Sequence, residues 1–146
     1  MKTYEIVQKV LDYYFVQDNK FGYDAERKQC TYFNNKTGSK CAIGCLLTDP
    51  EAFQDIVGQG SVFSAFSSYH HPEAYEMLLE IAPSDLTDEE QVRYFFSALQ
   101  ETHDGLAEMH YDSKEKLKVF KDLLFNKLES DTLSDVAQDL RERGIL

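Results

Sequence analysis

A chain of 146 residues, 42% apolar and 13% aromatic with 9 Tyr, 10 Phe and no Trp, can bury the core of one ordinary domain without disulfides or metals, which argues against disorder. Its formal net charge of −11 excludes nonspecific attraction to nucleic-acid phosphates or anionic lipid and favours a basic protein partner. No apolar run approaches the roughly 18 residues of a membrane span.

The N-terminus, Met1-Lys2-Thr3-Tyr4-Glu5, is too polar to begin a secretory signal, and three cysteines cannot all pair within one chain. The expectation is a cytoplasmic protein with reduced thiols.

From Thr3 to about Val16, Ile6, Val7, Val10, Leu11, Tyr14 and Phe15 recur at spacings of three and four, which predicts a helix. The stretch from Gln17 to Arg27 has no period and reads as a loop. Cys30-Thr31-Tyr32-Phe33 is rich in strand formers, Asn34 to Gly38 supplies turn chemistry, and Lys40 to Ile43 is a second extended run. Together they predict a small antiparallel hairpin near residues 29–43, with Cys30 and Cys41 on nearly opposite rungs. Gly44 marks a bend or a close backbone approach.

Thr48-Asp49-Pro50-Glu51 reads as a helix start, stopped by Gly58-Gln59-Gly60. A short segment from Ser61 precedes Pro72, which opens a helix to Ile81 with Tyr75, Leu78 and Leu79 on one side. Thr87 can cap the next helix with Glu90 bonding back, and its stripe Val92, Phe96, Leu99, His103 turns His103 toward the core or a cleft. Asp112 to Glu115 repeats the capping pattern before Leu117, Phe120, Leu124 and Leu128. A last helix runs from about Leu133 to Arg143, with Gly144 as its stop. With no repeat and no long linker, residues 1–146 read as one α+β domain, mostly helical, of about six helices and the small hairpin.

Chemistry concentrates at Cys30, Cys41, Cys45 and His103, a Cys3His set of the kind that binds zinc. Only Cys41 and Cys45 have the tight spacing of a zinc knuckle, so buried thiols acting as small apolar side chains are the weightier reading. A catalytic alternative uses Cys41 or Cys45 as nucleophile with His103 and Asp104, Cys45 being the better candidate because a helix starting soon after it would activate it. It is weakened because Asp104, next to His103, should point elsewhere around the helix. A third reading places a small polar ligand between hairpin and long helix, contacted by Tyr32, Gln100, His103 and Asp104. His70-His71 and Gly58-Gln59-Gly60-Ser61 read as turns rather than as metal or anion sites.

Cys30-x-Tyr32, Gly38-x-x-Cys41-Ala42-Ile43-Gly44-Cys45-Leu46-Leu47 and Leu99-Gln100-x-x-His103-Asp104 together resemble a group of small uncharacterised proteins of bacteria and their phages. The resemblance covers about Met1 to Asp104. It implies that the hairpin and the long helix lie close in space, and it supplies no reaction.

The absence of a complete catalytic set speaks against an enzyme. The first expectation is therefore a noncatalytic phage or bacterial accessory protein that binds a macromolecule such as a basic host or defence protein, with no cofactor. The Cys/His enzyme or zinc domain and the polar-ligand binder stand as alternatives.

Overall fold

The structure, a computed structural model, describes residues 1–66 and 69–146. Helix α1 (Thr3–Leu11) buries Ile6, Val7, Val10 and Leu11, the face its spacing predicts. Asp85 holds its start, accepting from the Thr3 amide at 2.9 Å and hydroxyl at 2.8 Å. The helix continues to Val16, but the turn Asp12–Val16 widens into a π-helix, with the Gln17 amide donating to the Asp12 carbonyl at 2.8 Å. Tyr14 rides on this turn, buried, and its hydroxyl donates to the Lys40 carbonyl at 2.6 Å.

The small antiparallel sheet is present, with its pairing shifted toward the N-terminus. Strand β1 (Tyr23–Asp24), inside the segment that reads as a loop, pairs with β2 (Gln29–Cys30), and Tyr23 lies opposite Cys30. The turn at 34–38 forms as expected, the Asn34 amide donating to the Ser39 carbonyl at 2.9 Å, yet it closes on the single antiparallel bridge Phe33 to Lys40.

Competing hydrogen bonds explain the shift. The amides of Tyr32 and Phe33 donate to the side chain of Gln54 at 2.7 and 3.3 Å, so they are unavailable to a ladder. Residues 41–47 coil instead of extending, with the Cys45 amide bonded to the Cys41 carbonyl and the Leu47 amide to the Ile43 carbonyl. Cys30 and Cys41 are therefore not rungs of one ladder. A Cβ on Gly44 would fall on the Tyr32 carbonyl oxygen, which is the close approach its position predicts.

Helix α2 (Pro50–Val57) is capped by Asp49, which accepts from the Ala52 amide at 3.0 Å. The segment after Ser61 forms a single helical turn, α3 (Val62–Ala65), bringing the α-helices to seven among the described residues. In α4 (Pro72–Glu80) the inward residues are Ala74 and Leu78, four apart. Leu79, expected beside Leu78, lies about 100° further round the helix and is 42% exposed.

Helix α5 (Glu89–Ala107) starts one residue later than expected, because Asp88 and not Thr87 provides the cap, accepting from the Glu90 amide at 2.8 Å. A carboxylate serves at least as well as a hydroxyl there. The stripe Val92, Phe96, Leu99, His103 is buried throughout. Helix α6 (Ser113–Ser130), capped by Asp112, and α7 (Ser134–Glu142) follow as the pattern predicts. Helix α5 packs against α3 and α6, α6 against α7, and α7 against α1. Residues near 21–30 lie across the C-terminal half of α5, where the chemistry-bearing side chains meet.

Candidate binding cleft

His103 is completely buried, and both of its ring nitrogens are engaged. Nε2 lies 3.0 Å from the amide nitrogen of Gly22, and since an amide can only donate, Nε2 carries no proton. The proton therefore sits on Nδ1 and is donated to Asp104 Oδ1 at 2.9 Å. Burial pushes the imidazole below its ordinary 6.5; the Asp104 carboxylate opposes this and the nearby Lys116 ammonium adds to it. The ring stacks on Phe21, with centroids 4.9 Å apart and planes at 13°, while Lys116 Nζ lies 4.0 Å from the centroid of Phe21. His103 is a neutral, doubly bonded strut.

Asp104 does not point away from His103, as its place in the sequence suggests. Nδ1 is the ring nitrogen nearer the backbone, and the short carboxylate of the next residue reaches it. The same Oδ1 also accepts from Gln100 Nε2 at 2.7 Å, so two donors fix this carboxylate at the end of α5.

Cys30 joins the group. Among the described residues, the ligand atoms of Cys30, His103 and Asp104 lie within 4.8 Å of one another. The Cys30 thiol is pushed up to about 12, by burial first and then by the Asp104 carboxylate. A metal there would displace the Cys30 thiol proton and would bind the neutral imidazole through a nitrogen that now bonds Gly22 or Asp104.

Cys41 and Cys45 lie outside this group. Cys41 is fully buried, its sulfur accepting from the Gly44 amide at 3.3 Å, and burial holds its thiol well above the usual range. The Cys45 thiol donates to the Ala42 carbonyl at 3.1 Å. Burial pushes it up to about 12, against the activation expected of a helix start, because the turns of residues 41–47 separate it from Pro50. The Cys3His set and the Cys45–His103–Asp104 set therefore do not assemble. The thiols bond locally, and neither imidazole nitrogen is left to act as a base toward them.

Beside Asp104 the surface opens into a cleft of about 370 Å³. Cys30 and Tyr32 form one wall, the turn Gly58 to Val62 another, and Tyr94, Ser97, Gln100, Glu101 and Asp104 of α5 the floor, with Asp131 at one end. The Tyr32 hydroxyl donates to the Gly60 carbonyl at 2.6 Å, fastening the two walls together. Three buried side-chain atoms lack a hydrogen-bond partner among the described residues: Thr31 Oγ1, Arg93 Nε and Gln100 Oε1. Of these residues, only Gln100 lines the cleft.

Of the residues expected to contact a polar ligand, Tyr32, Gln100 and Asp104 line this cleft, and His103 stands behind Asp104 as its support. Gly22, Gln54 and Asp131 carry roles that sequence reasoning misses. A Cβ on Gly22 would collide with the backbone of Thr31, Lys40 and Cys41. The one signal for it is a lone glycine between Phe21 and Tyr23. The turn at Gly58-Gln59-Gly60-Ser61 is a turn, as expected, and it lines the cleft. His70 and His71 take no part in the site. No family model, curated protein or solved structure matches the chain.

Proposed function

We propose that the protein is a noncatalytic binding protein whose cleft between the hairpin region and α5 holds a small polar ligand. The observation that carries this reading is Gln100, a residue that lines a cleft of small-molecule size and whose Oε1 is a buried acceptor without a partner among the described residues. A buried unpaired acceptor costs about 1–3 kcal/mol, a cost that a donor from a bound ligand removes. Asp104, fixed by Gln100 and His103, supplies a second acceptor four residues along the same helix.

Thermal-shift screening against polar metabolites and nucleotides tests the reading. A ligand at one hundred times its Kd stabilises by about 2.7 kcal/mol, and a Gln100→Met variant should lose most of that gain. A flat response across the panel would count against it.

A second reading rests on the net charge of −11 and on the resemblance to bacterial and phage proteins: an accessory protein that works in the cytoplasm by docking a basic protein. Among the described residues, no helix is long and apolar enough to cross a membrane. Pull-down from a bacterial lysate at rising salt tests this reading, which predicts a partner that is lost as salt increases. The absence of any salt-sensitive partner would sink it.

A further inference from the structure

Among the described residues, those lining the cleft include three acids, Glu101, Asp104 and Asp131, and no Lys, Arg or His. Glu101 is already satisfied, accepting from Lys127 at 3.0 Å and from the Ser97 hydroxyl at 3.0 Å. Asp104 has Oδ1 occupied twice. The Asp131 carboxylate has no ion-pair or hydrogen-bond partner among the described residues, and its carboxyl is raised, by burial first and then by the proximity of Glu101. Gln100, 8% exposed, adds a neutral acceptor whose amide orientation is fixed, because its Nε2 must face the Asp104 carboxylate.

A wall of acceptors calls for a ligand rich in donors, and with Lys127 balancing Glu101 the remaining acids, Asp104 and Asp131, leave a net negative field that selects cations over anions. Tyr32 and Tyr94 supply ring surface for an alkyl chain or a cationic group, while the Phe63 ring already carries the Arg93 guanidinium at 4.9 Å. A volume of about 370 Å³ sits near the lower end for small-molecule sites and exceeds what a single metal ion needs. Deepening the ligand-binding reading above, and resting on it, we propose that the cleft binds a small organic cation carrying several N–H groups, an alkyl diamine or a guanidinium compound. One terminal group donates to Gln100 Oε1 and to Asp104, and the positive charge is balanced toward Asp131.

The test is an NMR titration of the full chain with matched four-carbon probes: 1,4-diaminobutane and agmatine as cations, 1,4-butanediol as the neutral analogue, and succinate as the anion, with magnesium chloride in a separate arm. The proposal expects saturable shifts of the Gln100 side-chain amide and the 58–61 backbone with the two cations alone. It further expects affinity to fall about tenfold or more in Asp131→Asn, at a side chain with no bond among the described residues, and in Gln100→Met.

If butanediol or succinate moves these signals and the amines do not, the cleft binds ligands but the cation proposal is overturned. A response to magnesium alone overturns it too. If no probe moves them, the cleft reading fails and the proposal with it. Unchanged affinity for the amines in both variants, each with native spectra elsewhere, overturns the assignment of these contacts.

Discussion

The amide of Gly22 donates to Nε2 of His103 at 3.0 Å, joining residues 81 apart in sequence. This bond fixes the imidazole tautomer, and through Nδ1 the tautomer fixes Asp104 at the edge of the cleft. Glycine is required because any Cβ there would strike backbone atoms of Thr31, Lys40 and Cys41, none of which can rotate away. Gly22→Ala should therefore cost about 2–4 kcal/mol in chemical denaturation, combining overpacking with a lengthened hydrogen bond. A cost below about 0.5 kcal/mol would mean that the backbone there relaxes freely and that the strut is loose.

The same imidazole predicts a pH dependence. Its pKa in the folded protein lies below the ordinary 6.5, because burial penalises the charged ring. The unfolded chain therefore binds the proton more readily than the folded one as pH falls through 6.5. The stabilisation associated with the neutral ring is complete above 6.5 and declines as the pH drops from there toward the folded value. Carboxylates also titrate at the acid end, so the measurement is the difference between wild type and His103→Gln. Between pH 6.5 and 5.5 that difference should shrink by up to about 1 kcal/mol, because the unfolded ring gains on average about three-quarters of a proton over the folded one in that interval. Parallel stability curves would show that the ring is not held neutral.

The three thiols should separate in labelling experiments. At pH 8 under native conditions Cys41, fully buried, should resist iodoacetamide, and Cys45, bonded to the Ala42 carbonyl, should nearly do so. Cys30, half-buried, should react slowly, because its thiol is pushed up to about 12 in part by the Asp104 carboxylate. Asp104→Asn removes that charge and should speed labelling of Cys30 roughly three- to tenfold, leaving Cys41 and Cys45 unchanged. Uniform acceleration of all three would indicate general opening of the domain instead.

What the sequence made legible follows from the range of the interactions involved. Helical faces and caps are local, so the stripe from Val92 to His103 and the caps at Asp49 and Asp112 can be read from spacing and side-chain type alone. The hairpin was legible only in part, because Cys30 to Phe33 has strand chemistry but its donors are taken by Gln54, more than twenty residues away. Within the site, Gln100 and Asp104 were recoverable because one short run of the helix, Leu99 to Asp104, holds them with His103, and Tyr32 because it belongs to the hairpin segment expected against that helix. Gly22 and Asp131 were not: one matters for an absent atom and the other for a neighbour, and neither leaves a periodic trace.

Gln54 offers the sharpest separation of structure from cleft geometry. Its Oε1 accepts from the amides of Tyr32 at 2.7 Å and Phe33 at 3.3 Å, while its Nε2 donates to the Gly58 carbonyl at 2.8 Å. One side chain thus clamps the Cys30–Tyr32 wall to the turn forming the opposite wall. Gln54→Ala removes all three bonds and should cost about 2–3 kcal/mol, with faster hydrogen exchange at Tyr32 and Phe33. Gln54→Glu keeps the acceptor and loses the donor, setting a carboxylate against the Gly58 carbonyl. It should preserve protection at Tyr32 and Phe33 while loosening the 58–61 turn, and it should weaken any cleft ligand more than it lowers stability. If the two variants show the same exchange pattern, Gln54 is a packing residue and the two walls are held by the Tyr32 hydroxyl bond to Gly60 alone.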